Sequence, residues 1–74
     1  MRRKTLAITP SNMRVLHAVS VIYLERGYVT HEMLIDALGL TRSTIHEHLS
    51  ALRKMGLVTW ERGKMGTIRP ATVS

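Results

Sequence analysis

The hydrophobic pattern along this chain changes period once. Up to Met55 apolar residues return at helical intervals, and after Gly56, in LVTWER and TIR, they alternate with polar ones. Thr9-Pro10 opens the first helix: the threonine hydroxyl can accept from a free N–H of the first turn, and a proline at the first helical position wastes no donor. That helix is expected to reach about Arg26, where Gly27 supplies a left-handed stop. Tyr28 and Val29 read as extended. Thr30 caps a short second helix, in which Glu32 suits the positive end of the dipole; it ends at Leu38 with Gly39 behind it. Thr41 caps the third helix, residues 42–55, and Gly56 ends it. Only Gly39 to Thr41 separate the second and third helices, a glycine-containing link of the length found in a helix-turn-helix. The alternating segments flank GKMG and predict a β-hairpin closed by Pro70. The expected fold is mostly α: three helices plus a two- or three-stranded wing. Residues 1–8 form a flexible basic arm, 9–70 the domain and 71–74 a frayed tail.

The third helix divides sharply when about 100° is advanced per residue. Ile45, Leu49, Leu52 and Met55 share one face, with His48 at its side. Ser43, Glu47, Ser50 and Lys54 lie opposite, flanked by Arg42, Thr44, His46 and Arg53. The apolar stripe must be buried, which leaves the polar one free. A helix presented in this way suits the major groove of B-DNA, with its N-terminal residues nearest the base edges. Arg42 can reach a guanine or a phosphate, and Ser43 and Thr44 either. His46 can touch a phosphate, and Lys54 and Arg53 sit where phosphates would pass. Glu47 must accept from a cytosine amino group or pair with a neighbouring cation, because phosphates repel it. Arg62 and Lys64 bracket Gly63 at the hairpin tip, where they can follow a phosphate backbone or enter the minor groove.

Composition supports an anionic partner. Eleven Lys and Arg oppose five Asp and Glu, a formal net charge of +6 on 74 residues. Arg2, Arg3 and Lys4 make the arm basic, and most of the other cations fall in the C-terminal half. With no phenylalanine, one tryptophan and two tyrosines, the core must come from Leu, Ile, Val, Met and Ala. The absence of cysteine removes a disulfide framework and any cysteine metal site, and fits a reducing compartment. MRRKTLAI has too short an apolar run for a signal peptide, and no segment reaches membrane-span length. A soluble, cytoplasmic protein without a membrane partner is expected.

The segment GLTRSTIHEHLSALRKMGLV, residues 39–58, resembles the core of the winged helix-turn-helix family, in particular MarR-like regulators and the DNA-binding domain of LexA-type repressors. The matching features are Thr30, Leu34, Leu38-Gly39-Leu40, Ser43-Thr44-Ile45, His48-Leu49, Ala51-Leu52 and Gly56-Leu57-Val58. Ile8-Thr9 and its distance to Gly27 also resemble the LexA-type domain, so the similarity covers about residues 8–69. The link Gly27 to Thr30 is shorter than in LexA-type domains, and Ile35 stands where they have a small residue. The self-cleaving activity of the Ser-Lys domain of LexA-type repressors is not carried over to residues 1–74 by this resemblance. The resemblance implies a sequence-specific double-stranded DNA-binding protein and a small transcriptional regulator, such as a repressor. In that arrangement helix 42–55 reads the major groove and wing 60–69 grips the backbone.

The first helix carries more apolar residues than one core face needs. Val15, Leu16, Ala18, Val19, Ile22 and Tyr23 form one stripe, which the resemblance turns inward. Met13, Val21 and Leu24, with His17 between them, form another. An exposed apolar stripe marks an interface, and a homodimer through it or through a terminus would place two reading helices on a palindromic site; the alternative is a helix wrapped on two sides by the arm and the C-terminal tail. The rival function is an adaptor or inhibitor that grips another protein with this face of helix 10–26. No enzyme, cofactor or metal is expected. His46 and His48 point about 200° apart on their helix, and His17 and His31 have no companion at ligand spacing. His48 reads as a core-edge histidine with one hydrogen bond, and Trp60 as packed on the third helix. Phosphate loops, nucleophile motifs and paired carboxylates do not occur in the sequence.

Overall fold

One capping device starts all three helices. In the computed structural model, which describes residues 9–64 and 66–71, α1 spans Pro10–Arg26, α2 His31–Leu38 and α3 Arg42–Lys54. Each is preceded by an extended threonine whose hydroxyl accepts a backbone N–H three residues on. Thr9 takes that of Asn12 at 3.1 Å, Thr30 that of Met33 at 3.2 Å and Thr41 that of Thr44 at 3.3 Å. A threonine cap of this kind is worth about 1 kcal/mol. Gly27 and Gly39 end α1 and α2 in the left-handed conformation at φ 82° and 67°. Their amides close back on the carbonyls of Tyr23 and Ile35, each at 2.8 Å, a turn that a Cβ would strain. The turn from Gly39 to Thr41 therefore fixes how α2 meets α3.

The core is aliphatic. Val15 and Val19 of α1, Val29 of the link, Leu34 of α2, Ile45, Leu49 and Leu52 of α3, Val58 and Ile68 form one buried cluster. Leu16, Ala18, Ile22 and Tyr23 pack around it, as do Ile35 and Trp60. The stripe assigned to the inside of α1 lies there, and so do Ile45, Leu49 and Leu52 of α3; Met55, expected on the same face, is the half-buried C-cap of α3 and stands outside the cluster. Val29 is fully buried, so the short link is itself part of the core.

The wing pairs β1 (Val58–Thr59) with β2 (Arg69–Pro70), antiparallel, in the register Val58↔Pro70 and Thr59↔Arg69. The ladder is shorter than LVTWER and TIR lead one to expect. Beyond Thr59 a side chain replaces it: the Glu61 N–H donates to the Thr67 hydroxyl at 2.9 Å, and that hydroxyl donates to the Lys64 carbonyl at 3.1 Å. Pro70 is buried and paired on an edge strand, where its missing N–H is tolerated. The Ala71 N–H donates to the Leu57 carbonyl at 2.9 Å. The arm of residues 1–8, with Arg2, Arg3 and Lys4, and residues 72–74 of the tail lie outside the described residues.

One polar contact ties α1 to α3. Among the described residues Asn12 is the buried polar one, and its Oδ1 accepts from His48 Nδ1 at 2.7 Å, so the ring carries its proton on Nδ1. His48 is the core-edge histidine the sequence implied, and its partner lies 36 residues away on another helix. Asn12→Ala leaves that N–H unpaired in a half-buried position. The expected cost is about 1 kcal/mol, the low end for such a group, which lowers the Tm by roughly 4–8 °C in a domain of this size. A thermal melt with an unchanged midpoint would contradict this role for the pair.

Candidate nucleic-acid interface

The outer face of α3 is polar and free. Arg42, Ser43, His46, Glu47, Arg53 and Lys54 are all exposed, while Ile45, Leu49 and Leu52 are buried beneath them. Thr44 is half-buried and turned toward the cap, where its hydroxyl accepts from that of Thr41 at 2.9 Å. Thr44 therefore offers less to a ligand than Ser43 does.

The wing brings its charges to the same side. Arg62 lines one shallow groove of about 420 Å³ together with Arg53, Lys54, His46, Ser50 and Trp60. Among the described residues, three cations and no carboxylate line that groove. The guanidinium of Arg53 lies 4.5 Å from the centroid of Trp60, a cation–π contact that fixes both against α3. Trp60 is thus a packing residue, as the sequence implied, and it also orders a cation. Lys64, nearer the tip, pairs loosely with Glu61 at 3.7 Å. It lies across a second groove, of about 320 Å³, from His31, Glu32 and Arg42.

Two features here escape any sequence-spacing rule. Arg42 Nη2 donates to Glu32 Oε2 at 2.8 Å, joining the first turns of α2 and α3. The acid that meets Arg42 is Glu32, ten residues away, and not Glu47 on its own helix. The second feature is a stack: the rings of His31 and His46 lie 6.3 Å apart and inclined by 28°, and His46 approaches Trp60 at 6.5 Å. His31, which has no sequence neighbour to work with, is a wall of the site. Among the described residues no group of three His, Asp or Glu is arranged to hold a metal ion.

The His31 pKa lies below the ordinary histidine value of 6.5, first because burial disfavours the imidazolium, then because Arg42 and His46 repel it, against the pull of Glu32. As pH falls through 6.5 the unfolded chain takes up this proton before the folded one does. His31 therefore costs no stability above that pH, and an increasing amount down to its lower folded value. Replacing it by glutamine should make the fall in stability between about pH 7 and pH 5 shallower than in the parent. Superimposable urea-midpoint profiles of the two proteins would contradict this.

Residues 23–59, half of the chain, match the family model of the bacterial regulatory proteins of the arsR family. The chain belongs to the arsR family. The matched segment takes in the last turn of α1, all of α2 and α3, and β1. It therefore contains the whole helix-turn-helix and the first strand of the wing. Three helices and a hairpin are the winged helix-turn-helix expected from the sequence. MarR-like and LexA-type domains are a resemblance within that architecture. This arsR-family chain is a DNA-binding transcriptional regulator, with double-stranded DNA as its partner. No curated protein matches the chain. Among the described residues no helix is long and apolar enough to cross a membrane. Of the residues singled out in the sequence, Leu24 and those from Arg42 to Lys54 fall inside the family match. Met13, His17, Val21, Arg62 and Lys64 fall outside it.

The surplus stripe of α1 faces outward in this arsR-family domain. Met13 is 50% exposed, Val21 37% and Leu24 79%, and His17 is exposed between them. This stripe and the cationic face are made by different helices, α1 and α3.

Proposed function

We propose that this regulator inserts α3 in the major groove of a specific duplex and holds the flanking backbone with its wing. The observation that carries the proposal is the convergence of Arg62 with Arg53 and Lys54 on the free side of α3. A surface with three cations and no carboxylate attracts a phosphate, and only the wing and α3 together make it. In this arrangement Arg42, Ser43, His46 and Glu47 face base edges, with Thr44 beside them. Lys54, Arg53, Arg62 and Lys64 contact phosphates, and so do Arg2, Arg3 and Lys4 of the arm.

The exposed stripe of Met13, His17, Val21 and Leu24 pairs two copies of the chain in this proposal. Two-fold symmetry then sets two α3 helices about 34 Å apart on a palindromic operator. Bound there in the cytoplasm, the dimer acts as a repressor. The same stripe favours a second reading, in which the domain is an adaptor or inhibitor that grips another protein with α1.

Selection of bound duplexes from a random pool tests the proposal. One enriched motif with two-fold symmetry is the expected result. A pool that stays random after repeated rounds would contradict sequence reading by α3. A single asymmetric motif would contradict the symmetric dimer alone.

A further inference from the structure

We propose that Glu32 is a positioning residue for Arg42, trading affinity for any duplex against discrimination between duplexes. The proposal rests on the reading above, in which Arg42 meets a base edge.

Glu32 is the second residue of α2 and Arg42 the first of α3. Both backbones are pinned where they stand, by the Thr30 and Thr41 caps and by the left-handed turn at Gly39. The 2.8 Å bond from Arg42 Nη2 to Glu32 Oε2 therefore joins two fixed points and holds one long side chain in one pose. Both side chains are well exposed, at 59% and 65%, and an ion pair in such a setting contributes little to folding. Its consequence lies in what it does to Arg42. A guanidinium has five N–H donors in a rigid fork. The bond uses Nη2, and the other nitrogens stay free to meet a guanine edge. An arginine already ordered loses less entropy when it binds, and an arginine held in one direction cannot swing to the nearest phosphate. His31 and His46 with Ser43 line the depression beside it and narrow the space into which it could turn.

The same carboxylate opposes binding in general. It cancels one cation on a surface that a polyanion must approach, and it repels phosphates. A positioning role and a repulsive role thus act in opposite directions on the two kinds of duplex.

The probes are a duplex carrying the motif enriched from the random pool and a scrambled duplex of equal length and composition. Both are titrated with the parent, Glu32→Ala, Glu32→Gln, Arg42→Ala and the Glu32→Ala/Arg42→Ala pair. Glu32→Ala should bind the scrambled duplex more tightly and lose discrimination by on the order of tenfold, a share of what one base contact supplies. Glu32→Gln keeps an acceptor for the guanidinium without the charge, so it should bind the scrambled duplex more tightly and retain most of the discrimination. In the Arg42→Ala background, removal of Glu32 should leave discrimination unchanged. If Glu32→Ala tightens both duplexes by the same factor, Glu32 is a repulsive charge only and the proposal is overturned. It is equally overturned if Glu32→Ala lowers discrimination as much with Arg42 absent as with it present. A parent that binds the two duplexes equally, or an Arg42→Ala variant that discriminates as the parent does, removes the base-reading role of Arg42 and the proposal with it.

Discussion

Leu49→Ala is expected to leave most of the chain unfolded at 25 °C. Leu49 sits at the middle of α3 with 1% of its surface exposed, between Ile45 and Leu52, which are fully buried. It belongs to the helix that packs on α1, on α2 and on β1, so collapse around the lost side chain is resisted from three directions. Leucine-to-alanine changes at such positions cost about 2.7–5 kcal/mol, through lost transfer energy and the cavity left behind. A single core in a chain of this length supplies about 3–5 kcal/mol in total. The two figures are of the same size, so the folded population collapses and is not merely weakened. Far-ultraviolet circular dichroism with urea titration checks this. Ser43→Ala, on the exposed side of the same helix, should stay within about 0.5 kcal/mol of the parent. A cooperative Leu49→Ala transition near the parental midpoint would mean that α3 is not anchored as described.

The second large effect falls on binding. The Arg42→Ala/Lys64→Ala pair should retain the fold and lose most of its affinity for the selected duplex. Both side chains are exposed, so neither is expected to alter stability much. An arginine fork on a base edge supplies about 1–3 kcal/mol, a change in affinity of roughly 5- to 150-fold. Loss of a lysine–phosphate contact weakens all duplexes and lowers the slope of log affinity against log salt by about one. Two further terms act in the same direction. Arg42 leaves Glu32 without its partner, and Lys64 leaves Glu61 without its own, so two carboxylates then face the phosphates unscreened. The formal charge falls from +6 by two, to +4. Fluorescence anisotropy at several salt concentrations measures both the affinity and the slope. Parental values for the double variant would remove α3 and the wing tip from the interface together.

How far the fold could be read in advance depended on the range of the interaction. Each threonine cap acts on an N–H three residues away, and each glycine stop on a carbonyl four residues back. Thr9, Thr30, Thr41, Gly27 and Gly39 therefore announce themselves in the sequence, and with them the helix-turn-helix. The core stripe of α3 is legible from periodicity alone, whereas α1 carries two apolar stripes and only the family resemblance says which of them turns inward. The hairpin ladder is shorter than the alternation implies because alternation records which faces are buried, not where ladder bonds stop; Thr67 stops them with its hydroxyl. Asn12 with His48, Glu32 with Arg42 and His31 with His46 join residues 36, 10 and 15 positions apart on different helices. No period brings such pairs together; only the packed fold does. The branch of the winged helix-turn-helix family was not legible either. The helix-turn-helix core resembles several branches, and the arsR assignment comes from the match over residues 23–59.

The surface that touches DNA can be mapped residue by residue by amide chemical-shift changes as the selected duplex is added to the labelled protein. Groove reading by α3 with the wing on the backbone entails shifts at Arg42, Ser43, His46 and Glu47 and at Arg62 and Lys64 of the wing, with Met13 and Leu24 moving only if dimerisation accompanies binding. Shifts confined to the Met13–Val21–Leu24 face of α1, with the outer face of α3 silent, would contradict it.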